Sequence, residues 1–159
     1  MNTSSNDTTN NPPDPDVGFF TQAGAPIPIP QELILTYDIA AIAAIGGDLI
    51  TINGTTYRIA NKNYSSGATP PYRVYLSVAE RSEINSDTPF PTAAPHKNSA
   101  EAAARGFYYF RSNDLNFPAY LHRGEEALFP GMQTPLTVLE KHYIIFTNTY
   151  FDILFQLEL

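Results

Sequence analysis

Apolar and polar residues alternate with a period of two through the middle and the end of the chain, the pattern of β-strands with one face on a core. The clearest case is DLITINGTTYRIA, Asp48 to Ala60, where two alternating runs flank Asn53-Gly54. That dipeptide accepts positive φ at both central positions of a type I′ turn, so a hairpin is predicted. Its register pairs Ile52 with Thr55 and Ile50 with Tyr57. Ile50, Ile52, Tyr57 and Ile59 then share one face, and Thr51, Thr56 and Arg58 the other. Tyr72, Val74, Leu76 and Val78 alternate with Arg73, Tyr75 and Ser77 as a third strand.

The C-terminus holds the strongest pair, HYIIFT and YFDILFQLEL around Asn148, with Phe146 expected opposite Phe151 and Ile144 opposite Ile153. Phe151, Ile153, Phe155 and Leu157 form one face of the last strand, against Asp152, Gln156 and Glu158. Tyr143, Ile145, Tyr150 and Leu154 are placed on the opposite face. Two apolar faces predict a hairpin covered on both sides, by a second layer or by a second subunit, so these four residues are candidate partner contacts.

Other segments are less regular. In ELILTYDIAAIAAIGG, Leu33, Leu35, Tyr37 and Ile39 alternate while Ile39, Ile42 and Ile45 recur every three residues. The β-branched and aromatic content favours a strand passing into a short turn of helix. Residues 82–98 read as a long surface loop. Asn98 and Glu101 stand at capping-box spacing and Gly106 is placed as a stop, which predicts a short helix over Ser99 to Arg105. FYYF at 107–110 returns to strand. The fold class that follows is mainly β: an antiparallel β-sandwich or small barrel with one short helix and an extended N-terminal arm.

The arm is compositional. Residues 1–18 are almost all Asn, Thr, Ser, Asp and Pro, with too little apolar surface to offset the entropy of ordering. Residues 19–30, FFTQAGAPIPIP, add two Phe and a Pro alternation that favours an extended path. The division expected is an arm over 1–30 and a β domain over 31–159. Phe19, Phe20, Ile27 and Ile29 are its candidate contacts, laid across the chain's own domain or into a neighbouring subunit.

Of 159 residues, 43% are hydrophobic and 13% aromatic, enough for a core without a metal or disulfide. Cys is absent, which excludes thiolate metal sites and cysteine nucleophiles. The net charge of −7 argues against a general nucleic-acid binder. Charge is also uneven: the first 57 residues carry six acids and no Lys or Arg. The start MNTSSNDTTNNPPDPD has no basic n-region or apolar h-region, and no stretch is long enough to span a bilayer, so a soluble, non-exported chain is expected.

Candidate chemistry is sparse. His96, His122 and His142 have no metal-pair or nucleophile spacing. Glu125 and Glu126, with Asp114, read as a solvated turn beside Gly124. No catalytic residue, metal or cofactor is expected. Tyr108 and Tyr109, near Arg105 and Arg111, are the candidate aromatic platform for a sugar, giving a carbohydrate-binding β-sandwich for host recognition as the alternative function.

A polar arm, a Pro-rich strap, an acidic β body and no catalytic set resemble accessory virion proteins of tailed bacteriophages, of the head-decoration or head-to-tail joining type. GGDLITINGTTYRIANKNY, residues 46–64, is similar to the small β-barrel hairpins of head-completion proteins. The resemblance implies a non-enzymatic structural protein, made in the host cytoplasm and located in the virion. Its partners would be other virion proteins and further copies of itself, with no direct nucleic-acid or membrane contact.

Overall fold

The computed structural model describes residues 16–79, 100–112 and 120–159. Its strands are β1 (Val17–Thr21), β2 (Leu49–Ile52), β3 (Thr55–Tyr64), β4 (Tyr72–Val78), β5 (Phe107–Ser112), β6 (Glu126–Ala127), β7 (Leu136–Ile145) and β8 (Phe151–Leu157). A 3-10 turn (Gln31–Leu33) leads into helix α1 (Ile34–Ala43), and α2 (Ala100–Ala104) precedes β5. The predicted loop at 82–98, with His96, lies outside the described residues, as do Asp114 and the Asn98 and Ser99 start of the predicted helix.

The fold is mainly β. One mixed, unclosed sheet runs β1-β4-β3-β2-β7-β8-β5, with β6 added beside β7. Sequential hairpins are antiparallel as expected. Two pairings are parallel, β1 with β4 and β2 with β7. Each parallel pair joins segments far apart in sequence, where no tight turn imposes the antiparallel direction.

Asn53 (φ 51°) and Gly54 (φ 80°) make the turn that the dipeptide predicts, and Ile52 pairs with Thr55 and Ile50 with Tyr57. Ile50, Ile52, Ile59, Val74 and Leu76 point into the main core, joined by Val17 and Phe19 of β1.

The segment after Gln31 departs from the strand-first reading, because it is helical from Gln31 to Ala43. Tyr37, Ala40, Ala41 and Ala44 fall on one helical stripe and are buried against the sheet. Small side chains let the helix approach closely. Tyr37 packs edge-on to Phe19, with ring centroids 5.9 Å apart, and its hydroxyl donates to the Thr51 carbonyl at 2.7 Å. Lys62 closes the far end, its ammonium donating to the carbonyls of Ala41 and Ala44.

The C-terminal hairpin forms one residue out of the expected register. Ile145 pairs with Phe151 and Tyr143 with Ile153. A single-residue slip exchanges faces, so Tyr143 and Ile145 join Phe151, Ile153 and Phe155 in the main core. Ile144 and Leu154 occupy the other face with Phe107, Tyr109 and Ala102 of α2. The hairpin is thus covered on both sides by its own chain. No helix among the described residues is long and apolar enough to cross a membrane.

Candidate functional site

Strand β1 is the edge of the sheet, but the chain does not leave it there. The chain turns at Gly24 and runs back along it: Thr21 N–H donates to the Ala25 carbonyl and Ile27 N–H to the Phe19 carbonyl, both at 2.8 Å. Pro26, Pro28 and Pro30 offer no N–H, so this returning strap cannot template a further strand. Asn53 Nδ2 pins the strap by donating to the Pro28 carbonyl at 2.9 Å. The boundary expected at residue 30 therefore falls inside the folded unit, since Val17–Thr21 is its edge strand.

Between strap, β1 and α1 lies an open apolar groove of about 260 Å³, lined by Phe20, Ile27, Ile29, Ile34 and Pro70 with one ionisable side chain, Asp38. Asp38 is half-buried and makes no hydrogen bond or ion pair among the described residues. Burial, with the Asp16 charge second, raises its pKa to about 6. Next to the groove, α1 turns Leu35 and Ile42 outward at 63% and 54% exposure, with Ile45 following at 38%. A helix as apolar as this one, with only Thr36 and Asp38 polar, is ordinarily enclosed, and this one leaves Leu35 and Ile42 exposed.

A second apolar groove, about 330 Å³, lies between α2 and the Pro130–Met132 turn, with Gly106, Tyr108, Leu136 and Leu157 in its walls. Gly106 is required there. Its φ is +83°, and a Cβ would collide with the Leu157 carbonyl oxygen.

Ionisable groups gather instead where β2 meets β7, some buried and some at its margin. Asp48 and Lys141 are fully enclosed. Asp48 Oδ2 accepts from Ile45 N–H at 3.0 Å, and Oδ1 lies 3.5 Å from Arg123 Nε. Burial raises the Asp48 pKa against the opposing pull of that N–H, Lys141 and Arg123. Lys141 is lowered to about 8 by burial, partly offset by Asp48 and Glu125. Arg58 donates to both carboxylate oxygens of Glu140, at 3.2 and 3.0 Å, and to the Gly47 carbonyl at 2.8 Å. Across the sheet, Thr51 Oγ1 bridges Thr56 Oγ1 at 3.0 Å and His142 Nε2 at 2.7 Å. Asp48, Lys141 and His142 are enclosed and out of a ligand's reach, while Arg58, Glu140 and Arg123 keep part of their side chains at the surface; together they stitch two parts of the sheet.

The residues singled out from sequence separate by environment. Phe19 is core, whereas Phe20, Ile27 and Ile29 are half-buried along the groove. Tyr143, Ile145 and Leu154 are buried within the chain and offer no surface to a partner. Tyr150 stays half-buried at the hairpin end, with the Arg111 guanidinium 4.0 Å from its ring centre and Arg111 paired to Asp152 at 2.9 Å.

Tyr108 and Tyr109 do not make a joint platform, because neighbours on a strand face opposite ways. Tyr108 stacks on Phe129, centroids 4.3 Å apart, and Tyr109 is buried, which pushes its hydroxyl to about 12. His142 is buried at the seam, and Glu125 closes a turn by accepting from His122 N–H at 2.6 Å. Among the described residues no three His, Asp or Glu side chains converge as a metal site. Asp38 escaped the sequence reading. In a strand it would have been one polar residue of an alternation, and only the helix sets it beside the strap.

No family model matches the chain, and no curated protein or solved structure is significantly similar to it.

Proposed function

We propose that this chain is a non-enzymatic assembly protein, and that the assembly is a virus particle, as decoration or as a head-to-tail joining component. The observation that carries the assembly reading is the apolar surface made by the strap groove with Leu35, Ile42 and Ile45 beside it. Clustered exposed apolar side chains on a largely apolar helix are typical of protein interfaces. Among the described residues Asp48, Lys141 and His142 are enclosed, whereas both open grooves are walled mainly by apolar side chains. The virion setting rests on the resemblance in organisation: polar arm, Pro-rich strap and acidic β body. Docking of several modest patches, linked along one chain, raises avidity without any single tight contact.

Sedimentation velocity of the full chain across concentrations, beside Ile42→Asp, tests the surface. Self-association that falls away in the variant is the expected result. A concentration-independent monomer in both removes self-assembly and leaves docking on a different protein. Mass spectrometry of purified particles tests the virion setting, and absence of the chain from them ends it.

A further inference from the structure

The strap groove specifies more than an apolar contact. Its one ionisable lining residue among those described, Asp38, is held half out of water with no donor or cation from the described residues on it, a cost that a folded chain ordinarily offsets with a partner. The charges around it do not help. Asp16, at the entrance to β1, is of like sign, and Glu32 on the 3-10 turn before α1 is exposed to solvent. Among the described residues the nearby bases are engaged elsewhere: Lys62 caps the far end of α1, and Arg73 donates to the Pro70 carbonyl at 3.2 Å with its guanidinium 5.0 Å from the Phe20 ring centre. Residues 1–15 bring Asp7 and Asp14 and no Lys, Arg or His, so that part of the chain has no basic side chain to offer.

We propose that the strap groove is the docking site for a short segment of another protein that sets one Lys or Arg side chain on Asp38 and lays apolar neighbours over Ile27, Ile29 and Ile34. This rests on the assembly reading and names the chemistry of the partner. The match is of charge as well as of shape: a carboxylate edged by apolar walls favours a cation on an apolar segment over an acidic or purely apolar one. A charge-assisted hydrogen bond in a partly desolvated groove is also stronger than one in open water.

The test is selection of random displayed peptides on the full chain. Enriched sequences are then remade in pairs, with Lys and with norleucine, and titrated by calorimetry against the wild type and Asp38→Asn, a near-isosteric change at a half-exposed position. The expected enrichment is Lys or Arg between apolar residues. Either the norleucine exchange or Asp38→Asn weakens binding by about tenfold, and both together cost little more than either alone. On peptide binding, the Asp38 carboxyl signal in carbon NMR titrates at lower pH than in the free chain.

Enrichment of peptides without a base, no enrichment at all, or binding indifferent to Asp38→Asn overturns the proposal. Self-association that Asp38→Asn abolishes also overturns it, by making the occupant a second copy. If instead Ile42→Asp breaks self-association while Asp38→Asn changes nothing, the assembly surface stands and only the basic partner falls.

Discussion

Strands β7, β8 and β5 bury apolar residues on both faces, whereas β1 to β4 bury one apolar face and set polar groups of β2 and β3 on the other, with Phe20 against Tyr75 at the edge. In the first region Tyr143, Ile153 and Phe155 fill the main core while Ile144 and Leu154 pack under Phe107, Tyr109 and Ala102. In the second, the face opposite Ile50 and Ile59 carries Thr51, Thr56 and Arg58, bonded across to His142 and Glu140. The contrast teaches where a partner can act. The hairpin faces enclosed by their own chain leave a partner only the groove beside Gly106, while the region with one core face depends on the strap and α1, where Leu35 and Ile42 stay exposed beside the groove.

The largest effect is expected where the two regions join. Asp48→Ala leaves the Ile45 N–H and the enclosed Lys141 without their carboxylate, and a loss of about 3 to 5 kcal/mol in urea-unfolding free energy is expected. A loss under about 1 kcal/mol shows that β2 and β7 are held by backbone pairing alone. Next comes Leu154→Ala, which opens a cavity beneath α2 and costs about 2 to 4 kcal/mol. Ser77→Ala, on the outer face of β4, stays within about 0.5 kcal/mol. Equal losses at these two positions erase the contrast between the regions.

A smaller cost, about 1 kcal/mol, follows for Gly54→Ala, since φ of 80° is strained for any residue with a Cβ. The smallest effect belongs to Asp38 and depends on pH. In the fold its carboxyl takes up a proton at about 6 against an ordinary 3.8. The folded state therefore binds more protons than the unfolded one between those values, and stability falls as pH rises through that window. Asp38→Asn raises the melting temperature by about 2 °C at pH 7, after allowance for solvent screening, and leaves it unchanged near pH 3. A melting temperature that Asp38→Asn lowers at pH 7 means that the carboxylate already has a cation.

Much of the local structure was legible in the residues. Asn53-Gly54 carried turn type, register and faces together, because a two-residue hairpin leaves the backbone one low-strain geometry. Val74 and Leu76 alternated cleanly, and Gly106 marked the stop of α2. The C-terminal hairpin was legible as a pair but not in register: Tyr143, Ile144, Ile145 and Phe146 are all apolar, so no alternation distinguishes one face from the other. Residues 31–43 failed for a related reason. With Leu35 and Ile42 apolar on the side away from the buried Tyr37, Ala40 and Ala41, α1 has too little polar contrast to stand out as a helix, and its Ile and Leu content argues equally for strand.

By itself, then, the sequence determined the mainly β class, the hairpin at Asn53-Gly54 and the polar composition of the first residues. These follow from turn chemistry and period-two patterning, which act over a few neighbouring residues. Tertiary structure alone decided that β1 runs parallel to β4, that the C-terminal hairpin is covered by α2, and that Asp38 faces the strap without a partner among the described residues. Each depends on which distant surfaces meet, and a run of uniformly apolar residues does not encode which of its faces will be covered.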